Sequence, residues 1–225
     1  MKVLQILPQL NIGGVERGTL DLSKALIHKG HQSFVISGGG VLVDELTQCG
    51  AKHYEIPVHI KSLRTLSLAK RLSETISSID PDIVHVRSRM PAWVNYRAFK
   101  MLQKKPLLVS TFHGLYSFPI YSKVMSFVDH SIAISKTVER YILENYKLDK
   151  GDITVIPRGC DPLEFNNEVI NPVDKANIIE EFPQIVGKKV LTIPGRITKW
   201  KGVAEFIELL SLLDDNYHGL IVGPT

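Results

Sequence analysis

The chain has 225 residues, 44% hydrophobic and 22% charged. That is ordinary globular composition, with length for one large domain or for one domain and part of another. The net charge of +4 suits an anionic ligand, an acidic membrane surface or nucleic acid, but there is no Lys/Arg run or aromatic-basic pattern of the kind that reads RNA. The two cysteines, Cys49 and Cys160, form no C-x-x-C pair and fit a reducing cytoplasm. No stretch of about 18 apolar residues is present, and "MKVLQILPQL" reads as a first strand and not as a signal peptide.

Short apolar runs then alternate with helical periods. "KVLQILP" (2–8) is strand-like, and residues 15–29 place Val15, Leu22, Ala25 and Leu26 on one helical face. Gly30 stops that helix, and "HQSFVIS" (31–37) follows as a strand. A short helix at about 43–49 and a short strand at "HYEI" come next. Residues 62–79 predict a long amphipathic helix carrying Leu72, Ile76 and Ile79 on one face, and "DIVHVRS" (82–88) a strand entered through Pro81. Helix is expected at 91–103, strand at "LLVSTFHG" (107–114), helix at 119–127 and strand at "SIAIS" (131–135). Ser135 caps "KTVERYILENY", and "ITVIP" (153–157) is another strand. This alternation predicts an α/β fold, a doubly wound parallel sheet with helices on both faces.

Between 158 and 187 the chain turns polar and is broken by Pro162, Pro172 and Pro183. "VLTIPGRIT" (190–198), "KGVAEFIELLSLL" and "HGLIVGP" then read as a fresh βαβ unit. The expected organisation is a Rossmann-like domain at 1–165, a linker at 166–187, and at 188–225 the first βαβ of a second, incomplete Rossmann-like domain.

Several loops carry chemistry. In "LPQLNIGGVERG", Gly13 and Gly14 sit between the first strand and the first helix. There the backbone can approach a ligand and open helix N–H groups suit phosphate; a tight turn is the alternative use. Gly13, Gly14 and Gly18 lack the G-x-G-x-x-G spacing, and the second strand ends in "ISGGG" without a carboxylate, so a nicotinamide enzyme is not expected. His113 closes a predicted parallel strand, at the edge where ligands bind in open α/β sheets. His85, Arg87 and Arg89 close the preceding one. Two arginines there suit a carboxylate or phosphate, and surface ion pairs are the alternative. In "PGRITKWKG", Arg196 and Lys201 precede a new helix and form a candidate diphosphate cradle, or solvated loop charge. No metal spacing and no G-x-S-x-G elbow occurs.

Taken together, "GGVERGTLDLSKALIHKGH", "PDIVHVRSR", "STFHG", "AIS", "VIPRGCD" and "GRITKWKG" resemble, in order and spacing, the family 4 glycosyltransferases, retaining enzymes of the two-domain GT-B fold. The resemblance implies transfer of a sugar from a nucleotide-sugar donor, most commonly a UDP-sugar, to a saccharide or lipid-linked acceptor, without cofactor or metal. It implies a donor-phosphate role for Gly13, Gly14, Arg196 and Lys201, an acceptor or cleft role for Glu16, His85, Arg87 and Arg89, and a place beside the transferred sugar for His113, taken as the catalytic candidate. Arg158 and Asp161 fall in the family's hinge motif.

The sequence departs from the family at two positions. Arg158 stands where Asn is usual, and Arg87 stands where a second His is usual; Arg87 and Arg89 together suggest an anionic acceptor. The family's E-x7-E donor motif does not occur after Lys201, and Glu205 and Glu208 are too close together to form it. The chain is therefore expected to be a fragment with little activity. The implied setting is cell-envelope polysaccharide or lipopolysaccharide synthesis in the cytoplasm, at the inner membrane face. The alternatives are a GT-B nucleotide-sugar epimerase, or a non-catalytic module docking on membranes through "KSLRTLSLAKRL" and "RAFKMLQKK".

Overall fold

The computed structural model describes residues 1–60, 67–116, 119–163, 166 and 170–223. It divides into two compact units, Met1–Gly159 and Cys160–Thr225.

The first unit is built on seven parallel strands: β1 (Lys2–Ile6), β2 (Gln32–Ser37), β3 (Lys52–Glu55), β4 (Ile83–Val86), β5 (Leu107–Phe112), β6 (His130–Ala133) and β7 (Ile153–Val155). Their order is β3-β2-β1-β4-β5-β6-β7. From β1 the chain winds outward to one side through β2 and β3. It then crosses back and winds to the other side from β4, so the winding direction reverses between β1 and β4. The register there pairs Gln5 with His85 and Ile6 with Val86. A doubly wound sheet opens a crevice at such a reversal, outside the carboxyl ends of the strands.

Strand alternation sorts the side chains to two faces. Leu4, Ile6, Phe34, Ile36, Val84 and Val86 join one large buried cluster. The helices α3 (Ala69–Ile79) and α4 (Arg89–Phe99) supply Leu72, Ile76, Ala92 and Val94 to it, and α6 (Lys136–Asn145) supplies Val138 and Ile142. On the opposite face Val35 meets Leu20 of α1 (Gly14–His28) and Leu46 of α2 (Val43–Gln48) in a smaller cluster. Helix α1 stops at Gly30, whose φ of 74° is the left-handed value a helix terminus needs; the Gly30 and His31 N–H groups turn back to the Ile27 and Leu26 carbonyls. Helix α6 is capped by the Ser135 side chain, which accepts from the Val138 N–H.

Three expected helices differ in extent. The described part of the 62–79 helix is Ala69–Ile79, and residues 61–66 lie outside the described residues. Helix α4 starts at Arg89 and ends at Phe99, because Ser88 is still extended and the chain turns off after Lys100 toward Pro106. The stretch expected as helix at 119–127 is a single α turn, α5 (Pro119–Ser122), that tightens into a 3₁₀ turn at Lys123–Ser126.

In the second unit, α7 (Pro172–Glu181) is capped by Asn171 and carries Pro172 in its first turn. Strands β8 (Lys189–Pro194) and β9 (Tyr217–Val222) pair in parallel, with α8 (Val203–Ser211) between them in sequence. No helix among the described residues is long and apolar enough to cross a membrane.

Candidate functional site

The crevice at the winding reversal is anchored by a buried amide. Gln5, fully buried in the middle of β1, donates through Nε2 to the Thr19 carbonyl at 3.1 Å and to Ser23 Oγ at 3.0 Å, which fixes α1 on the sheet. Its Oε1 accepts from Arg87 Nη1 at 2.7 Å. Gln5 therefore uses both ends of its amide, and it sets the position of the helix and of the arginine together.

Helix α1 begins at Gly14 with no side-chain cap at Gly13 and with Glu16 as the acidic residue of its first turn, near the positive end of the helix dipole. Glu16 folds back over Gly13: a Cβ placed on Gly13 would lie 2.4 Å from a Glu16 carboxylate oxygen.

Four basic side chains gather behind this turn. His85 is buried and its Nε2 bonds Thr111 Oγ1 at 2.7 Å, tying β4 to β5. Burial first, then Arg87 and His113, hold its pKa well below the usual histidine range. Arg87 keeps 7% of its surface exposed; burial, then Arg158, pushes its pKa down to about 10, which leaves it charged at neutral pH. Arg158 donates through Nη1 to the Gly14 carbonyl and through Nη2 to His113 Nδ1, the latter at 2.9 Å.

This last contact fixes the histidine's chemistry. A guanidinium can only donate, so His113 Nδ1 must accept and the ring proton sits on Nε2. Burial, then Arg87 and Arg158, lowers the His113 pKa to about 3. The ring is therefore a neutral donor and not an acid. Its Nε2 is buried and has no partner among the described residues, and the same holds for Arg87 Nε.

The structure thus brings Gly13, Gly14, Glu16, Arg87, His113 and Arg158 to one place. His85 lies behind them, engaged with Thr111. Arg89 is used differently: it opens α4 and its guanidinium lies between Tyr116 and Tyr121, 4.9 and 5.4 Å from the ring centroids, with Nη1 3.4 Å from Ser122 Oγ.

The other predicted residues belong to the second unit. Arg196 and Lys201 are exposed in the segment between β8 and α8, and α8 opens on Gly202 without a side-chain cap. The Gly195 N–H donates to the Val222 carbonyl at 2.7 Å, and a Cβ on Gly223 would lie 2.1 Å from the Gly195 oxygen. Only a glycine at 223 lets the two strand ends approach so closely. The Lys201 side chain lies along Gly195, with Cε 3.4 Å from a Cβ built there. Asp161 turns its own loop by accepting from the Leu163 N–H at 2.8 Å.

Sequence reasoning passed over Gln5, Thr111 and Gly18 as participants. An amide inside the apolar run "KVLQILP" is the one local signal that pointed to Gln5.

Residues 12–163 match the family described as Glycosyltransferase Family 4. A Methanocaldococcus jannaschii protein, uncharacterized glycosyltransferase MJ1069, is 31% identical over 156 residues, which is 61% of this chain and 38% of that protein. A glycosyltransferase from Rickettsia africae is similar in structure, with a TM-score of 0.82 and 36% identity over 99% of this chain and 60% of that one. Anabaena HepE, solved with UDP and glucose, has the same fold, with a TM-score of 0.78 and 17% identity over 100% of this chain and 62% of that one. The chain thus spans less than two thirds of each of these relatives.

Proposed function

We propose, from the premise that this chain belongs to glycosyltransferase family 4, that it serves the transfer of a sugar from a nucleotide-sugar donor to a saccharide or lipid-linked acceptor, with retention at the anomeric carbon. The observation that carries the reading is the His113 arrangement. A neutral ring with an unpaired Nε2–H suits a sugar hydroxyl or ring oxygen. It does not suit proton transfer to the leaving group, because its pKa of about 3 leaves no proton to give at neutral pH.

When the glycosidic bond of a nucleotide sugar breaks, the bonding pair stays on the diphosphate oxygen and negative charge grows there. Cations meet that charge without any proton. Arg196, Lys201 and the open N-terminus of α8 form the arrangement proposed for that task. Neither step calls on a metal or a cofactor. HepE, the relative solved with UDP and glucose, supports a UDP-sugar as the first donor class to try. The acceptor class, cell-envelope polysaccharide or lipopolysaccharide, and a place at the inner membrane face rest on the family resemblance alone. No E-x7-E pair is present in these 225 residues, and little turnover by these residues alone is proposed.

The test is calorimetric titration of the chain with UDP, UDP-glucose and UDP-N-acetylglucosamine. Saturable binding is expected, weakened about tenfold by Lys201→Ala or Arg196→Ala, the loss of one charge-assisted contact. Absence of binding to every nucleotide tried would sink the reading.

A further inference from the structure

Arg87 and Arg158 converge on one point of helix α1. A Cβ built on Gly18 would lie 3.2 Å from Arg87 Nη2 and 3.4 Å from Arg158 Nη1. Two guanidiniums that share one small residue repel each other, and Arg87 is almost wholly withdrawn from water. The nearby carboxylates Asp21 and Glu16 favour the charged Arg87 but offset this only in part. Glu16 lies over Gly13 and Asp21 pairs with Arg17 at 3.2 Å; among the described residues neither forms an ion pair with Arg87 or Arg158. Arg87 spends one of its five N–H donors on Gln5, and Arg158 spends two, on Gly14 and His113. Arg87 Nε and His113 Nε2 stay buried and unpaired among the described residues.

Two facing cations without an ion-pair partner among the described residues, and an Arg87 Nε that is buried and unpaired, mark a place suited to an anion. The donors outnumber what a carboxylate's two oxygens can take, and three terminal oxygens of a phosphoryl group match them better. We propose that Arg87 and Arg158 bind a phosphoryl group carried by the acceptor, so that the acceptor is a phosphorylated saccharide or a lipid-linked phosphate, and that His113 Nε2–H is left to the transferred sugar. The inference rests on the transferase reading above. It adds a second anion site to it, because Arg196 and Lys201 already match the two charges of a donor diphosphate. Arg89, held by its tyrosines, has no part in this site. The partner of Arg87 is Arg158, which is 71 residues further along the chain.

Titration of the 225-residue chain with inorganic phosphate, followed by NMR of the Arg87 Nε–H signal, tests the proposal. That signal is expected to shift on saturation. Affinity should fall about tenfold or more in Arg158→Gln and in Arg87→Gln, and stay within about twofold in the surface control Arg97→Gln. Arg158 is exposed, so its variant remains informative if Arg87→Gln folds poorly. Gly18→Ala is a third probe, since its methyl enters the space between the guanidiniums while favouring the helix. Phosphate binding that persists beside saturating UDP, with UDP affinity unchanged in Arg158→Gln, supports an acceptor site. Phosphate that does not shift the Arg87 signal, or that UDP displaces, overturns the proposal. Failure of UDP to bind at all counts against the donor reading and leaves the phosphate result to be judged separately.

Discussion

Arg87 and Arg158 in the first unit and Arg196 and Lys201 in the second sit at similar places, each pair beside glycines where a parallel strand hands over to a helix. Their surroundings differ. Arg87 is 7% exposed and held by the buried amide of Gln5, whereas Arg196 and Lys201 are exposed at the surface. A charge in the drier place interacts more strongly with whatever binds it and costs more while nothing does. A solvated charge costs little when idle and is screened by salt. The first unit therefore carries one cation that is costly while unpaired, Arg87, beside the exposed Arg158, and the second carries an exposed pair that is almost neutral to stability.

The largest expected effect lies in the buried half. Gln5→Leu removes the acceptor of Arg87 Nη1 and the donor to Thr19 and Ser23, and should cost about 3 kcal/mol in urea unfolding. A loss below about 1 kcal/mol would mean that the amide is not holding the arginine.

A pH effect comes next. His85 and His113 have folded pKa values below the unfolded value of about 6.5. Above that pH their contribution to stability is complete. As pH falls, the unfolded chain takes up protons that the folded chain refuses, and stability is lost down to about pH 3, where His113 protonates. Between about pH 6.5 and 5 the slope should approach 1.4 kcal/mol per pH unit for each ring, and His113→Asn should remove about one ring's share. Equal slopes for the two proteins would place His113 in water.

Ser135→Ala, which deletes the cap of α6, is an intermediate case and should cost about 1 kcal/mol. The smallest effect on stability belongs to the exposed half. Lys201→Ala should change the unfolding free energy by less than about 0.5 kcal/mol, even as nucleotide binding weakens. A larger loss would show that the second pair is also structural.

The strand and helix order was legible because most strands are short apolar runs and some junctions carry a stop or a cap, as at Gly30 and Ser135. The partnerships within the site were not. Arg87 and Arg89 stand two apart, the spacing that shares a face on a strand. The strand ends at Val86, however, and Arg89 opens a helix, so the two side chains part company. Arg158 was read as a hinge residue because nothing in "VIPRGCD" shows that it reaches Gly14. Gln5 was hidden by the strand that contains it.

The contact of Arg158 with Gly14 joins residues 144 apart in sequence. Closing a loop of that length is a late event in assembly, since the strands between must first find their order. A partly folded chain can hold α1 on β1 through Gln5 and still have no Arg158 beside His113. The anion site proposed above therefore needs β7 in the sheet, because Arg158 follows that strand by three residues and otherwise has no place beside Gly14 and His113.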